Sequence, residues 1–546
     1  MTFPVLDSGG YLHERDGRSA LVHRLLSEKP GDARDVVASV KSPTVVGFDT
    51  AAVDVEVDLR PGLPSFAVVG LPDTAVQEAR ERVRSGLANQ AFAVPARRVV
   101  ANLAPAHLKK AGPQYDLPIA LAILAATGQM RREALAGVAA VGELALDGSL
   151  RPVDGALAMG EHAVREGWTR LVVPEQNAAE ARLVGRDRVV GVSSLRHAWD
   201  LLEGRVEAAR SNVDIATLLR ASRASATAPD LGDVRGQAAA RRALEVSAAG
   251  RHSILMTGPP GAGKTMLARR LPGLLPPLDA QDAIEVTRVY SIAGLLEPGQ
   301  ALVSCRPFRA PHHTISAAGL VGGGRYPSPG EVSLAHRGVL FLDEVCAFAP
   351  SVLDGLRQPL EEGRVRVARA MASATFPADM LLVCAGNPCP CGYADDPSGI
   401  CTCPPGRPEA YQARLSGPVA DRIDLHVRVP RLSTEEVVGG VQAESSAEVR
   451  ERVAKAISVR RERRQQVPNG QLSGRDARRV ADAESDAERL LSRAIERLGL
   501  SARAFDRVVR VARTLADLDG AARVGAPHAA EALAYRERDG PAGRLS

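Results

Sequence analysis

The sequence predicts an α/β fold: a parallel-sheet core around a phosphate-binding loop, preceded by an α+β domain and followed by a helical lid. Three observations carry this. First, a short apolar run, Ile254 to Met256, reads as a buried strand. It is followed by Gly258-Pro259-Pro260-Gly261-Ala262-Gly263-Lys264-Thr265, which fits G-x-x-x-x-G-K-[ST], and Met266 to Leu271 resumes a helical pattern. Second, Gly338-Val-Leu-Phe-Leu-Asp343-Glu344 is an apolar strand ending in two acids, about 80 residues downstream. Third, from Ser433 the chain turns helical and charged.

Composition bounds the rest. At 546 residues the chain has room for about three or four domains. A hydrophobic content of 45% supports real cores, and 3% aromatics makes them aliphatic. The net charge of +5 is too small for a uniformly cationic nucleic-acid binder but permits local basic patches. Only six of the 69 basic residues are Lys, which suggests a base-composition bias as much as a functional choice. No apolar run approaches the roughly 18 residues of a membrane span, and Met1 to Arg18 lacks a signal-peptide pattern. The expected location is the cytoplasm, so the seven Cys are not read as a disulfide framework.

Residues 1–40 are polar and read as a poorly ordered extension, or as the product of a misplaced start codon. Residues 41–204 read as the α+β domain. Strands are expected at Thr44 to Val46, Val53 to Val57, Phe66 to Val69, Val138 to Leu144 and Leu171 to Val173. Helices are expected at Asp73 to Ala88 and Pro113 to Ala126. Gly62-Leu-Pro-Ser-Phe-Ala-Val-Val-Gly-Leu-Pro-Asp73, Asn102-Leu-Ala-Pro-Ala106, Gly112-Pro-Gln-Tyr-Asp-Leu-Pro118 and Val141-Gly-Glu-Leu-Ala-Leu-Asp-Gly148 resemble the Lon-protease-like domain that fronts magnesium-chelatase-like ATPases. By that resemblance the protease serine would fall near Asp116 and its lysine near Leu157. Neither can form a Ser–Lys pair, so the domain is expected to be catalytically silent, with assembly or an unknown protein partner as its business. Asp116 is expected to cap a helix.

Residues 205–230 read as a small-residue linker and 231–432 as the nucleotide core, opened by Asp233-Val-Arg-Gly-Gln237. In the phosphate loop, glycines let backbone N–H groups wrap a phosphate, and the helix N-terminus adds its positive dipole end. Lys264 would supply charge to the β/γ-phosphates of ATP. The Thr265 hydroxyl and Asp343 would serve Mg²⁺, and Glu344 would polarise the attacking water. Met380 to Cys384 is a further apolar strand leading to Asn387, whose amide suits a γ-phosphate and a lytic water; a plain Asn-Pro turn with Pro388 is the alternative. Arg422 sits between acids. It is either a finger reaching a neighbouring subunit, as in ring ATPases, or a partner of Asp421 or Asp424.

Arg306-Pro-Phe-Arg-Ala-Pro-His-His-Thr314, Gly322 to His336, Asn387-Pro-Cys-Pro-Cys-Gly392 and Ser416-Gly-Pro418 are similar to the YifB/ComM family of magnesium-chelatase-like AAA+ ATPases, over roughly residues 41–535. The resemblance implies an oligomeric ring, hexameric in that family. It matches Lys264, Thr265, Asp343, Glu344, Asn387 and Arg422 to the two Walker motifs, sensor 1 and the arginine finger, and Arg503 to a sensor-2 arginine reaching back to the γ-phosphate. Its best-understood members are competence proteins that migrate DNA branches, so DNA is the expected substrate. Remodelling of a protein complex, as in metal chelation, is the alternative. A nucleotide-gated scaffold is the third reading, and Glu344, Asn387 and Arg422 argue against it.

Cys389, Cys391, Cys401 and Cys403 share one loop. They read either as a tetrahedral Zn²⁺ site, although C-x-C is tighter than usual, or as four reduced thiols. Cys305, Cys346 and Cys384 read as core residues. The loop Gly319 to Gly330 reads as too rich in Gly and Pro to pack, with Arg325 and Tyr326 either touching a DNA backbone or lying on a bare surface hairpin. Residues 433–540 form the lid. Arg460, Arg461, Arg463 and Arg464 make a solvated face or a basic stripe, with the solvated face as the default. Phe505, Val508, Val509 and Ala512 face inward, and 541–546 is a tail.

Overall fold

A computed structural model describes residues 37–209, 213–225, 229–297, 299–324, 327–369, 372–394, 400–414, 419–432, 436 and 443–536. Residues 1–36 of the extension expected over 1–40 and the tail at 541–546 lie outside the described residues, as do Arg325, Tyr326 and Ser416 to Pro418.

The front domain is a seven-stranded mixed sheet. Its strands are β1 (Ala38–Val46), β2 (Asp49–Arg60), β3 (Ser65–Val69), β4 (Arg98–Ala104), β5 (Val138–Ala140), β6 (Arg170–Pro174) and β7 (Val189–Val192), in the order β3-β4-β2-β1-β5-β6-β7. Strand β1 begins at Ala38, ahead of the boundary expected at residue 41. On β2, Val53, Val55 and Val57 are fully buried and alternate with partly exposed neighbours, the period expected of a sheet with one face on a core. Strands β4 and β7 were not expected from the sequence. Asp73 caps the helix Thr74–Asn89 by accepting the Val76 N–H at 2.9 Å.

The helix Asp116–Ala126 is apolar all round and buried over its first ten residues, so it is the domain's central rod. Asp116 does not cap it. Instead it accepts a fork from Arg82 (Nε to Oδ2 2.6 Å, Nη2 to Oδ1 3.0 Å) and the Leu144 N–H at 3.1 Å. Leu157, at the other position where the Lon-like resemblance seeks a catalytic group, is fully buried in a separate cluster with Leu183, Leu219 and Leu278.

The stretch expected to be a linker contains a helix, Ile215–Ser225, and its Leu219 belongs to that same cluster. The front domain also docks on the helix Ala280–Ile292 of the core. Arg288 pairs with Glu161 at 3.0 Å and lies 4.3 Å over the Phe48 ring, and the Gly155 N–H donates to the Ser291 carbonyl at 3.0 Å.

The core sheet has five strands: β8 (Ile254–Thr257), β9 (Phe308–Arg309), β10 (Val339–Leu342), β11 (Leu381–Gly386) and β12 (Leu425–Arg428). All are parallel, in the order β9-β10-β11-β8-β12. Strands β8, β10 and β11 are buried along their whole length, as expected of a parallel sheet covered on both faces. The stretch from Gly319 packs after all: the short helix Ala317–Val321 buries Leu320, and Gly322–Gly323 pairs with Ser328–Pro329. Cys305 is exposed rather than in a core.

The lid is helical from Ser446 to Ala534. Val508, Val509 and Ala512 are buried as expected and Phe505 is half-buried. Arg463 is neither free nor part of a stripe. Its Nη2 donates to Asp517 at 2.9 Å, and fully buried Arg513 holds the same carboxylate.

The buried Asp116–Arg82 pair generates a test. Burial pushes the Asp116 carboxyl up to about 6, against the pull of Arg82. A carboxyl with a folded pKa above its unfolded value, about 3.9, costs stability as pH rises through that window. Arg82→Leu removes the countercharge and should destabilise the front domain by about 3 kcal/mol at pH 8. The loss should be smaller near pH 5, where Asp116 takes up a proton. Both Trp of the chain, Trp168 and Trp199, lie in this domain, so urea unfolding followed by Trp fluorescence at the two pH values checks it. Equal losses would argue against the buried charge.

Candidate functional site

Parallel strand polarity assembles the site. Strands β10, β11 and β8 are neighbours, so the residues following them emerge side by side, about 4.8 Å apart per strand. After β8 comes the loop Gly258 to Thr265, after β10 come Asp343 and Glu344, and after β11 comes Asn387. The loop needs its glycines for two distinct reasons. A Cβ on Gly258 would sit 2.0 Å from the Val429 carbonyl oxygen of the adjoining strand. Gly263 holds φ +90° just where the helix Lys264–Ala268 begins.

Lys264 is buried, and burial lowers its pKa. Its ammonium donates to the carbonyls of Gly258 (2.7 Å) and Pro259 (2.9 Å) and to Asn387 Oδ1 (3.0 Å). Thr265 Oγ1 donates to Asp343 Oδ2 at 2.8 Å, and the Glu344 N–H donates to Asp343 Oδ1 at 3.0 Å. The hydroxyl and carboxylate are hard oxygen donors, the set Mg²⁺ takes. Glu344 sits in the left-handed region, φ +49°, with an exposed carboxylate 3.9 Å from His313 Nδ1. A glutamate held there is a strained backbone position of the kind found at functional sites. Gln237 braces the loop from behind, its Nε2 donating to the carbonyls of Pro430 (2.7 Å) and Ala262 (3.3 Å).

Arg422 and Arg503 are elsewhere. Both line a cleft of about 1280 Å³ together with Ser253, Leu381 and Glu361. Ser253 precedes β8 and Leu381 starts β11, so the cleft lies at the opposite end of the strands from the phosphate loop. The Arg422 carbonyl accepts from Ser253 Oγ at 2.8 Å, which fixes it at that end. Strand β8 alone spans about 13 Å. Arg503 therefore does not reach back to its own loop, which corrects the reach implied by the family resemblance. Arg422 pairs with Glu361, a partner the sequence did not suggest, while Asp424 is buried against His252 at 2.9 Å. Glu361 is 61 residues away in sequence, and no local pattern signals it.

The four cysteine sulfurs of the loop after Asn387 converge to within 4.8 Å of one another. Cys389 Sγ lies 3.3 Å from Cys391 Sγ and 3.8 Å from Cys401 Sγ, with Cys391 and Cys401 at 3.5 Å. The cluster could hold a metal ion.

Comparison with known proteins places the chain in a family. Residues 230–437 match the family model described as magnesium chelatase, subunit ChlI; residues 55–177 match subunit ChlI of Mg-chelatase; residues 443–536 match the ChlI C-terminal region. A protein called YifB from Salmonella typhimurium is 41% identical over 506 residues, covering 92% of this chain and 97% of that protein. Competence protein ComM from Haemophilus influenzae is 42% identical over 501 residues, again 92% and 97%. The chain belongs to the YifB/ComM family. The 67 kDa magnesium-chelatase subunit of Heliobacterium mobile is more distant, 27% identical over 225 residues, covering 36% of this chain and 30% of that one. YifB/ComM membership brings an AAA+-like α/β fold and the ATP-hydrolysing chemistry of its ChlI domains. Among the described residues no helix is long and apolar enough to cross a membrane.

Two variants check the site. Lys264→Ala should lose ATP binding, measured with a fluorescent nucleotide, because the phosphates lose their main countercharge. Glu344→Gln should bind ATP as the wild type does but hydrolyse it at least about 10²-fold more slowly, since an amide cannot act as base. Wild-type turnover in the second variant would remove Glu344 from that role.

Proposed function

We propose that the protein is a ring-forming ATPase motor that acts on DNA, with each active site built from two subunits. One observation carries the composite site. The phosphate loop and Arg422 lie at opposite ends of the same parallel sheet, so one chain cannot bring both to one nucleotide. A ring that sets the cleft of one subunit against the loop of the next supplies both. In this reading the loop Gly258 to Thr265 binds the phosphates of ATP, and Thr265 and Asp343 would hold Mg²⁺, which would supply positive charge to the phosphates. Glu344 activates water and Asn387 orients it. Arg422 and Arg503 of the neighbouring subunit stabilise the transferring charge. A neighbour-supplied Arg503 replaces the one that would have reached back within its own chain.

The family relationship to ComM, which this chain matches along 97% of that protein's length, supports DNA as the polymer and branch migration as the work. The front domain follows the Lon-like pattern without its chemistry. Asp116 is locked to Arg82 and Leu157 is in an apolar cluster, so its task is assembly or partner binding rather than peptide cleavage. Zn²⁺ is the ion proposed for Cys389, Cys391, Cys401 and Cys403, since four thiolates at tetrahedral spacing select it. A second reading, remodelling of a protein complex in the manner of a chelatase subunit, is favoured by the three ChlI matches.

Mixing experiments test the composite site. Arg422→Ala should still bind ATP through its own Lys264 but hydrolyse it about 10³-fold or more slowly. Combined with Lys264→Ala chains it should recover activity, because mixed rings contain a site with one intact loop and one intact arginine. No recovery in mixed rings verified by sedimentation would refute the two-subunit site. ATPase rates with and without forked DNA separate the two substrates. Stimulation that fades with salt is the DNA outcome, and indifference to DNA favours the chelatase-like reading.

A further inference from the structure

The cysteine loop is wired directly into the nucleotide site. Cys389 is two residues beyond Asn387, whose Oδ1 takes the Lys264 ammonium at 3.0 Å. Cys389 is fully buried, so the loop departs inward from the strand end rather than out into solvent. Gly392, next to Cys391, lies against the phosphate loop: a Cβ there would come 2.4 Å from Pro260 Cδ. Gly392 also holds φ +89°, which a residue with a side chain adopts only under strain. On the return limb, Gln412 Nε2 donates to the Pro388 carbonyl at 2.7 Å and closes the neck of the loop.

The spacing of the four sulfurs suits a tetrahedral ion. Four thiolates each about 2.3 Å from a Zn²⁺ lie about 3.8 Å apart, and the closest sulfur pairs here are at 3.3, 3.5 and 3.8 Å. Thiolates at such distances repel unless a cation stands among them. An ion among the sulfurs would join the limb carrying Cys401 and Cys403 to the limb carrying Cys389 and Cys391, in addition to the Gln412–Pro388 hydrogen bond.

We infer that metal occupancy of the four-cysteine site controls ATP turnover, by clamping the Asn387 strand end and the Gly392–Pro260 contact against the phosphate loop. The inference rests on the nucleotide site and the Zn²⁺ assignment proposed above. The ion is not a reactant. Its coordination shell positions Asn387 two residues away, much as supporting shells around metal sites fix the groups they hold.

The experiment uses the full-length protein, purified without chelator, and reads metal content, ATP binding and turnover separately. Wild type should carry about one zinc per chain. Cys401→Ser combined with Cys403→Ser changes the limb remote in sequence from Asn387. It should release the zinc and lower kcat by about tenfold or more. Gly392→Ala leaves all four thiols in place and should keep the zinc, yet lose turnover to a similar degree because the loop can no longer seat on Pro260. Should the serine variant not fold, wild type stripped of zinc by a chelator and then reloaded decides the metal's control, its turnover falling and returning with the zinc, while Gly392→Ala tests the Pro260 contact.

Wild type that purifies without zinc would overturn the site. A zinc-free serine variant, or a zinc-loaded Gly392→Ala variant, with full turnover would overturn the control. Neither result touches the nucleotide assignment, which fails separately if Lys264→Ala still binds ATP tightly.

Discussion

Strand polarity in the core sheet is the constraint on which the rest depends. Five parallel strands place every strand end on one edge and every strand start on the other. Residues that close a strand therefore meet at one edge: the phosphate loop, the Asp343–Glu344 acids and Asn387. Residues that open a strand meet at the other: Ser253, Leu381 and, just before β12, Arg422. No loop of ordinary length carries a side chain from one edge to the other, because even the four-residue β8 is about 13 Å long. The geometry thus separates phosphate binding from arginine supply in each chain, and the proposed ring is what would reunite them.

The phosphate loop is held in place largely by packing and by hydrogen bonds from behind. Gly258 is pressed on the Val429 carbonyl, Gln237 bridges Ala262 to Pro430, and Gly392 backs Pro260. Lys264 is half-committed. Its ammonium already has three oxygen acceptors, two of them carbonyls of the loop itself. Neutral carbonyl oxygens are weaker partners for a buried ammonium than ionised phosphate oxygens. Binding a triphosphate therefore improves the surroundings of a charge that burial alone disfavours.

Much of this was legible in the sequence because its signals are local. The phosphate loop is eight contiguous residues with obligatory glycines. The strands β8, β10 and β11 are short apolar runs whose ends carry the polar residues. The buried face of the helix Ala502–Leu518 follows from its 3.6-residue period. What the sequence hid is what depends on residues far apart. Glu361 as the companion of Arg422, Arg82 as the companion of Asp116, and the Arg463–Asp517–Arg513 cluster join residues between 4 and 61 positions apart, and composition does not distinguish them from solvated charges. Strand β4 was missed because Arg98 to Ala104 mixes charged, polar and small residues and offers no long apolar run. The edge-to-edge separation that moves Arg503 away from its own loop was likewise hidden, since motif matching fixes residue identity and says nothing of which subunit a side chain serves.

In the proposed ring, the Arg422–Glu361 pair would occupy the arginine until the neighbour's nucleotide arrives. Arg422 is mostly buried, whereas the Glu361 carboxylate is more than half exposed. A pair with one solvated partner contributes about 1 kcal/mol or less, so exchanging Glu361 for a triphosphate costs little. Arg422 pulls the Glu361 carboxyl below its ordinary range. Phe48 and Glu161 of the front domain and Arg503 and Arg507 of the lid line the same cleft as Arg422, so all three parts of the chain border it. A nucleotide presented there by a neighbour would thus be felt by the front domain and the lid together, which is what coupling hydrolysis to the movement of a bound polymer requires.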